Sequence, residues 1–251
     1  MNERQDRIYK FINQRGNASV KQLKQEMYAS EATIRRDLAH LEQEGLLVRT
    51  WGGAFSRSAI NNDPPSFVRS NANVKAKNAI AKAALVFLQN NMTLFLASGT
   101  TVTKFAGYLH KFQNLTVITN GLDIIGALRN HMSAKVIMPG GELYEHYDFV
   151  GGLAENVIEQ FNADLFFCSC SGITAEGFSS FDMARLNIIK KMKKNSAKTI
   201  LMVDTSKVGI KCAYKGFGFE DVDYVIMENI PNDASLIKAL GKKLIIAKAN
   251  V

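Results

Sequence analysis

Residues 30–54, SEATIRRDLAHLEQEGLLVRTWGGA, decide the fold of the first part of the chain. Ile34, Leu38 and Leu41 fall at i, i+4 and i+7, the spacing of one apolar face of a helix. Ser30 is placed to cap that helix and Gly45 to end it. Leu46–Thr50 then reads as a short strand, Trp51-Gly52-Gly53 as a tight turn, and Ala54-Phe55 as the returning strand of a hairpin.

Toward the N-terminus, residues 3–15 place Ile8, Phe11 and Ile12 at helical spacing, and Gly16-Asn17 is a stop signal. Ser19 and Gln22 fit a capping box opening a second helix of about nine residues, lined by Val20, Leu23 and Met27. A helix that short does not persist alone and has to be held by its neighbours. Three short helices followed by a hairpin make a winged helix-turn-helix. The stripe on the third helix leaves Glu31, Ala32, Thr33, Arg35, Arg36 and His40 outside the core.

Arginine is the commonest reader of guanine in the major groove, and hydroxyls at a helix start bond phosphates or base edges. The candidate duplex-contacting residues are therefore Ser19, Ser30, Thr33, Arg35, Arg36 and His40, with Arg49, Gly52 and Gly53 from the wing. Taken alone, a pair of arginines on a helix is ordinary solvated charge. Here the cap, the turn and the wing all agree, and a double-stranded DNA partner is the favoured reading.

Charge supports this placement. The chain has 251 residues, a net charge of +8 and a pI near 9.3. Residues 1–58 carry ten Lys/Arg against seven Asp/Glu, whereas the 173 residues after Asn78 carry eighteen against fifteen. Charge density is thus highest in the small N-terminal part, as expected of a nucleic-acid module. At 47% hydrophobic and 22% charged the composition excludes wholesale disorder. No apolar run is long enough to span a bilayer, and the charged start MNERQDRIYK lacks the apolar stretch of a signal peptide. A cytoplasmic protein without a membrane partner is expected, and three cysteines make no disulfide framework.

Ser56–Ser70, SRSAINNDPPSFVRS, reads as a joint because Pro64-Pro65 can neither continue a helix nor donate to a sheet. The expected organisation is a DNA-binding domain over 1–57, a linker over 58–75 and a larger α/β domain over 76–251. Beyond Lys77, helices such as Ala79–Leu88 alternate with short apolar strands, which predicts a mostly parallel sheet covered on both faces. Small polar residues follow the predicted strands: Ser98-Gly99-Thr100-Thr101, Thr119-Asn120-Gly121, Gly140-Gly141, Ser171-Gly172 and Asp204–Lys207. Ligands of open α/β sheets bind beyond the strand ends, and a backbone without bulk at a helix start suits an anion. Any single glycine after a strand is just a turn. Five such loops on one edge point to a small polar, phosphorylated ligand, with Lys207 as a cation.

At these residues the chain resembles the DeoR family of bacterial transcriptional regulators. Residues 3–55 resemble its winged helix, most specifically at Thr33-Ile34-Arg35-Arg36-Asp37-Leu38 and Gly52-Gly53. ASGTT, ITNG, MPGGEL, Gly151, CSGI and VDTSKVG resemble its effector domain, which is similar to ribose-5-phosphate isomerase. The resemblance implies a repressor of a carbohydrate-use operon, released or retained by a phosphorylated sugar or polyol and acting as a dimer or tetramer on repeated half-sites. The effector site implied comprises Ser98, Gly99, Thr100, Thr101, Thr119, Asn120, Gly140, Gly141, Gly151, Ser171, Gly172, Asp204 and Lys207.

The chain departs from the family pattern at five positions. Tyr28 stands where a glycine is usual, Trp51 for a histidine, Ala97 for an aspartate, and Arg185 and Ile189 where a glutamate and a lysine are usual. Ala97 cannot supply the base that isomerisation needs.

Two rivals stay open: a sugar-phosphate enzyme with an accessory DNA domain, and a regulator that has lost or altered its effector response. No cofactor is expected. Cys168 and Cys170, two apart, read as packing, and Cys212 stands alone in sequence. His110, His131 and His146 show no ligand spacing. Glu142, Glu145 and Asp148 read as a solvated acidic face, and Lys190, Lys191, Lys193, Lys194 and Lys198 as a solvated basic one.

Overall fold

The computed structural model describes residues 1–50, 52–56, 66–129, 133–144 and 147–247, which form two compact units, 1–71 and 72–251. Trp51, His131, Glu145, His146 and residues 57–65 of the expected joint lie outside the described residues.

The first unit opens with α1 (Glu3–Arg15). Asn2 and Gln5 form a reciprocal capping box at its start, and Gly16 at φ 76° ends it. Ser19 and Gln22 do the same for α2 (Val20–Met27), and the Ser30 hydroxyl accepts from the Thr33 N–H to open α3 (Glu31–Gln43). These caps satisfy N–H groups that short helices would otherwise leave unbonded. The hairpin of β2 (Leu47–Thr50) and β3 (Gly53–Ser56) forms as expected. It gains a third antiparallel strand, β1 (Asn17–Ser19), in the order β1-β3-β2.

Ile8, Ile12, Leu23, Ile34, Leu38, Leu41 and Leu47 are buried together and hold the eight-residue α2 in place. At roughly 1.5–3 kcal/mol for each fully buried aliphatic side chain, this cluster supplies what propensity does not. Phe11 sits at the edge of the cluster under the guanidinium of Arg15, 4.3 Å from its ring centre. The short helix α4 (Ser66–Asn71) falls within the stretch read as linker. Its chain is helical there because the residues after the two prolines contain no breaker.

In the second unit a helix, α5 (Val74–Ala84), starts five residues before the expected Ala79 and gives way to a 3₁₀ turn at Leu85–Phe87. Seven strands follow in one sheet: β4 (Thr93–Leu96), β5 (Thr116–Thr119), β6 (Lys135–Ile137), β9 (Ala163–Cys168), β12 (Ser196–Met202), β14 (Tyr224–Met227) and β15 (Leu244–Ile246). Their order is β15-β14-β12-β9-β4-β5-β6, and every neighbouring pair is parallel.

Side chains alternate between the two faces with period two. Phe95, Ile118, Phe166, Leu201 and Val225 join one buried cluster, while Leu94, Leu96, Val117, Phe167, Ile200 and Ile226 join the other. The second cluster is covered by α5, α6 (Thr100–Ala106) and α7 (Leu122–Leu128). The first is covered by α8 (Gly152–Ile158), α9 (Met183–Lys194) and α10 (Ala234–Leu240). This is a doubly covered α/β sheet, as the alternating pattern predicts.

Two antiparallel additions went unread in the sequence: a hairpin of β7 (Glu142–Tyr144) and β8 (Asp148–Val150), and a small sheet of β10 (Gly172–Thr174), β11 (Gly177–Ser180) and β13 (Tyr214–Lys215). Among the described residues no helix is long and apolar enough to cross a membrane.

The order of the strands locates a crevice. From β4 the chain proceeds outward through β5 and β6, then returns to lay β9 against the other side of β4 and proceeds outward the opposite way. The reversal falls between β4 and β9. Beyond the carboxyl ends of strands at such a reversal, the loops part and leave room for a ligand.

Candidate functional site

The head of α3 presents Ser30, Arg35 and Arg36 to solvent. Arg36 has no hydrogen-bond or ion-pair partner among the described residues. Arg35 reaches back one turn to Glu31, with its Nη2 at 2.7 Å and its Nε at 3.2 Å from Oε1. An exposed pair of this kind is held by only a few tenths of a kcal/mol and opens readily. The Ser30 hydroxyl lies 2.8 Å from that of Thr33. In the wing, Gly52 is exposed, and its carbonyl accepts the Val20 N–H at 2.7 Å. The Arg49 N–H donates to Glu42 Oε1 at 2.9 Å, and its guanidinium, also exposed, lies 3.7 Å from the same carboxylate.

Two expected contact residues, Ser19 and Gly53, also have internal roles. The Ser19 hydroxyl accepts from the Gln22 N–H at 3.2 Å and donates to Oε1 of the same residue at 2.9 Å. His40, one turn beyond Arg36 on the same helix face, is half-buried with Nδ1 covered. Gly53 is buried between β1 and β2, where a Cβ would stand 2.1 Å from the Ala18 carbonyl oxygen. Its lack of a side chain closes the three-stranded sheet.

One residue of the helix was missed. Asp37, 4% exposed, accepts from Arg4 Nε at 2.6 Å, from Arg4 Nη2 at 3.4 Å and from Gln5 Nε2 at 3.1 Å. It fastens α3 to α1 and so fixes the angle at which the arginine-bearing face leaves the unit.

At the switch point, β4 ends at Leu96. The Ala97 N–H donates to the Phe167 carbonyl on β9 at 3.0 Å, and Ser98-Gly99 turns into α6. Gly99 caps this helix at φ 154° with no side-chain hydrogen bond, and the first bond within it is from Thr103 N–H back to the Gly99 carbonyl. A Cβ on Gly99 would lie 3.7 Å from the Ser169 Cβ in the loop after β9, so the two loops flank one crevice. Ser98, Gly99, Thr100 and Ser171 are half-buried there, while Thr101 is buried.

The side chain of Lys207, half-buried in the turn after β12, has no hydrogen-bond or ion-pair partner among the described residues. Its charge acts on the thiol of Cys170, which follows β9, and pulls that pKa down. Burial dominates, however, and pushes Cys170 up to about 12. Cys168, fully buried at the end of β9, is raised well above the usual thiol range for the same reason.

The remaining expected ligand residues build the walls. The buried Asn120 carboxamide accepts the Ser98 N–H at 3.0 Å and donates to the Phe149 carbonyl at 3.2 Å, tying the β4 loop to β8. The Thr119 hydroxyl accepts the Gly121 N–H at 3.1 Å. Gly140 and Gly141 turn the chain at φ 68° and 110°, and a Cβ on Gly141 would lie 2.6 Å from the Val150 carbonyl oxygen. Gly151, at φ 88°, opens α8. Gly172 belongs to β10, under the Ile210 carbonyl, rather than to a loop. Asp204 is buried and accepts from Asn73 Nδ2 at 3.1 Å, from the Ser206 N–H at 3.2 Å and from the Ser206 hydroxyl.

The acidic-face reading fails at Asp148. This residue is 4% exposed and accepts from Nε of Arg185, itself 8% exposed, at 2.5 Å. The Arg185 guanidinium also lies 5.3 Å from the Tyr144 ring centre. Asp148 pairs with Gly121 across an isolated bridge, which sets this ion pair beside the crevice. On the basic run, Lys191 and Lys193 form ion pairs with Glu159 and Asp221.

Comparison with known proteins follows the same division. The chain matches the DeoR-like helix-turn-helix domain over residues 4–59 and the DeoR C terminal sensor domain over residues 72–229. It is 32% identical over 246 residues to the HTH-type transcriptional regulator GolR of Listeria innocua, covering 96% of this chain and 94% of that one. To the L-fucose operon activator of Haemophilus influenzae it is 38% identical over 212 residues, 82% and 84% of the two chains. To the lactose phosphotransferase system repressor of Staphylococcus epidermidis it is 32% identical over 214 residues, again 82% and 84%. A solved D-ribose-5-phosphate isomerase in complex with phospho-erythronic acid covers 53% of this chain at 16% identity, with a TM-score of 0.40.

Proposed function

The chain belongs to the DeoR family of transcriptional regulators, and from that premise we propose that it represses a carbohydrate-use operon under the control of a phosphorylated sugar or polyol. In this reading α3 lies in the major groove. Arg36 and Arg35, once Arg35 is freed from Glu31, read base edges, while Ser30, Thr33, Arg49 and the Gly52 backbone meet phosphates. A homo-oligomer sets two such heads on repeated half-sites.

The effector's phosphate sits against Ser98–Thr101, where the open start of α6 and the unpaired Lys207 favour an anion. The observation that carries the effector reading is that this loop stands at the switch point of the sheet, with no side chain capping the helix behind it. Binding alters operator affinity only as far as the effector prefers one state of the protein.

The reading is of a sensor and not an enzyme. Ala97 carries no base. Of the two buried carboxylates near the crevice, Asp148 is paired with Arg185 and Asp204 is occupied by Asn73 and Ser206. Proton abstraction beside a carbonyl needs a free positioned base.

The test is a gel shift with a duplex that the wild-type chain enriches from a randomised library, run with a panel of pentose, hexose and polyol phosphates. Arg36→Ala should weaken binding about tenfold or more and lower the salt slope by about one. Ser98→Glu with Thr100→Glu should abolish the effector response while leaving effector-free binding intact. Wild-type affinity in Arg36→Ala would refute the α3 assignment. A second reading, an altered or lost effector, is favoured by the Arg185–Asp148 pair. It is upheld if no phosphorylated sugar at millimolar concentration raises the melting temperature.

A further inference from the structure

Tyr28 occupies a conformation that its side chain does not favour. It ends α2 at φ 49°, ψ 42°, in the left-handed region. Among the described residues the other non-glycine positions with positive φ are Asn73, Asn91 and Asn114. Asparagine tolerates this region because its short amide bonds locally, whereas a bulky aromatic does not. The backbone of this turn is accounted for, since the Tyr28 and Ala29 N–H groups both return to the Lys24 carbonyl and cap α2. The ring is not, since Tyr28 is 94% exposed and packs against no core. Glycine would close the same cap without steric cost, so a fully exposed aromatic kept at this position points to an external role for its ring.

Its position says which role. Tyr28 lies two residues before Ser30, the cap of α3, on the turn that precedes the exposed arginines. Resting on the DNA-binding reading above, we infer that Tyr28 is a DNA contact, its phenol hydroxyl donating to a backbone phosphate beside the groove that α3 enters. Tyrosine is among the side chains that donate to phosphate oxygens, and such contacts fix register without reading sequence. The phenol is neutral, so it strengthens binding without displacing a counterion, unlike Arg36.

The experiment measures affinity by fluorescence anisotropy for the full chain and for Tyr28→Phe, Tyr28→Gly and Arg36→Ala. The probes are the library-enriched duplex and a scrambled duplex of the same length, across a salt series. Thermal unfolding of each variant is recorded alongside. Tyr28→Phe should bind both duplexes about fivefold more weakly with an unchanged salt slope, as for one lost solvent-exposed hydrogen bond of ordinary net strength. Tyr28→Gly should lose about tenfold and melt no lower than wild type, because glycine relieves the strain.

Wild-type affinity within twofold in both Tyr28 variants, with Arg36→Ala still impaired, overturns the Tyr28 contact and leaves the DNA reading standing. A loss confined to the enriched duplex overturns the phosphate assignment. A lower melting point for Tyr28→Gly overturns the strain argument. Full affinity in Arg36→Ala removes the premise itself.

Discussion

Replacing Asp37 with alanine should loosen the DNA-reading head without touching its reading face. The carboxylate is buried and accepts three hydrogen bonds, two from Arg4 and one from Gln5. The Arg4 side chain is 40% exposed, so solvent screens that ion pair and the main cost lies elsewhere. Gln5 is buried, and stranding its amide N–H costs ~1–3 kcal/mol. Asp37→Ala therefore removes about 1–3 kcal/mol from the first unit, a factor of roughly 5 to 160 in its folding equilibrium. Asp37→Asn keeps an oxygen for Gln5 and should lose only about 1 kcal/mol.

The single tryptophan of the chain is Trp51, within the sequence of this unit, so urea unfolding followed by its fluorescence reports on the head. The midpoint should fall by about 1–2 M with an unchanged slope. A cycle with Arg4→Ala should show that the two substitutions are not additive. At low temperature, where the weakened head still folds, operator affinity should stay near wild type. A midpoint shift worth less than about 0.5 kcal/mol would show that Asp37 does not fasten α3 to α1.

Three further outcomes follow from the same structure. Gly53→Ala places a methyl 2.1 Å from the Ala18 carbonyl oxygen and should cost at least about 2 kcal/mol by the same fluorescence assay, whereas Gly52→Ala, with nothing within 4 Å, should be near neutral. Asn120→Ala removes the link between the Ser98 N–H and the Phe149 carbonyl. It should destabilise the second unit by about 2–3 kcal/mol in calorimetry, and a loss under 0.5 kcal/mol would show that the crosslink is dispensable. Burial holds the Cys170 thiol near 12, so at pH 8 roughly one molecule in ten thousand is thiolate. Iodoacetamide should modify it far more slowly than glutathione until the pH nears that value, and a rate within tenfold of glutathione at pH 8 would contradict this.

Where structure is local, the sequence shows it. Ile34, Leu38 and Leu41 share a helix face by period alone, and Ser19 with Gln22 completes a capping box within four residues. The strands of the large sheet are apolar on both faces, so they stand out as short apolar runs. Their parallel pairing follows from the helices between them. The short antiparallel pieces were hidden for the converse reason. β1 is Asn-Ala-Ser, with no apolar alternation, and exists because Gly53 lets its backbone approach β3. β7 and β8 have three residues each, too few for a period to emerge.

Polar residues in the candidate sites were harder to read because their partners are distant in sequence. Asp37 bonds a residue 33 positions away, Asn120 one 29 positions away, and Asp148 one 37 positions away. Residue type announces the capacity to bond but does not say to what. A carboxylate in a polar stretch reads as solvated unless its partner is known.

The same fact bears on the sensor crevice. Asp148 and Arg185 are both nine-tenths buried, and the contact between them offsets part of the cost of taking each charge out of water. Lys207, whose side chain has no hydrogen-bond or ion-pair partner among the described residues, and the start of α6 lie on the loops that follow β12 and β4. On the effector reading proposed above, that cation and the N–H groups at that helix start suit a ligand that carries a phosphate.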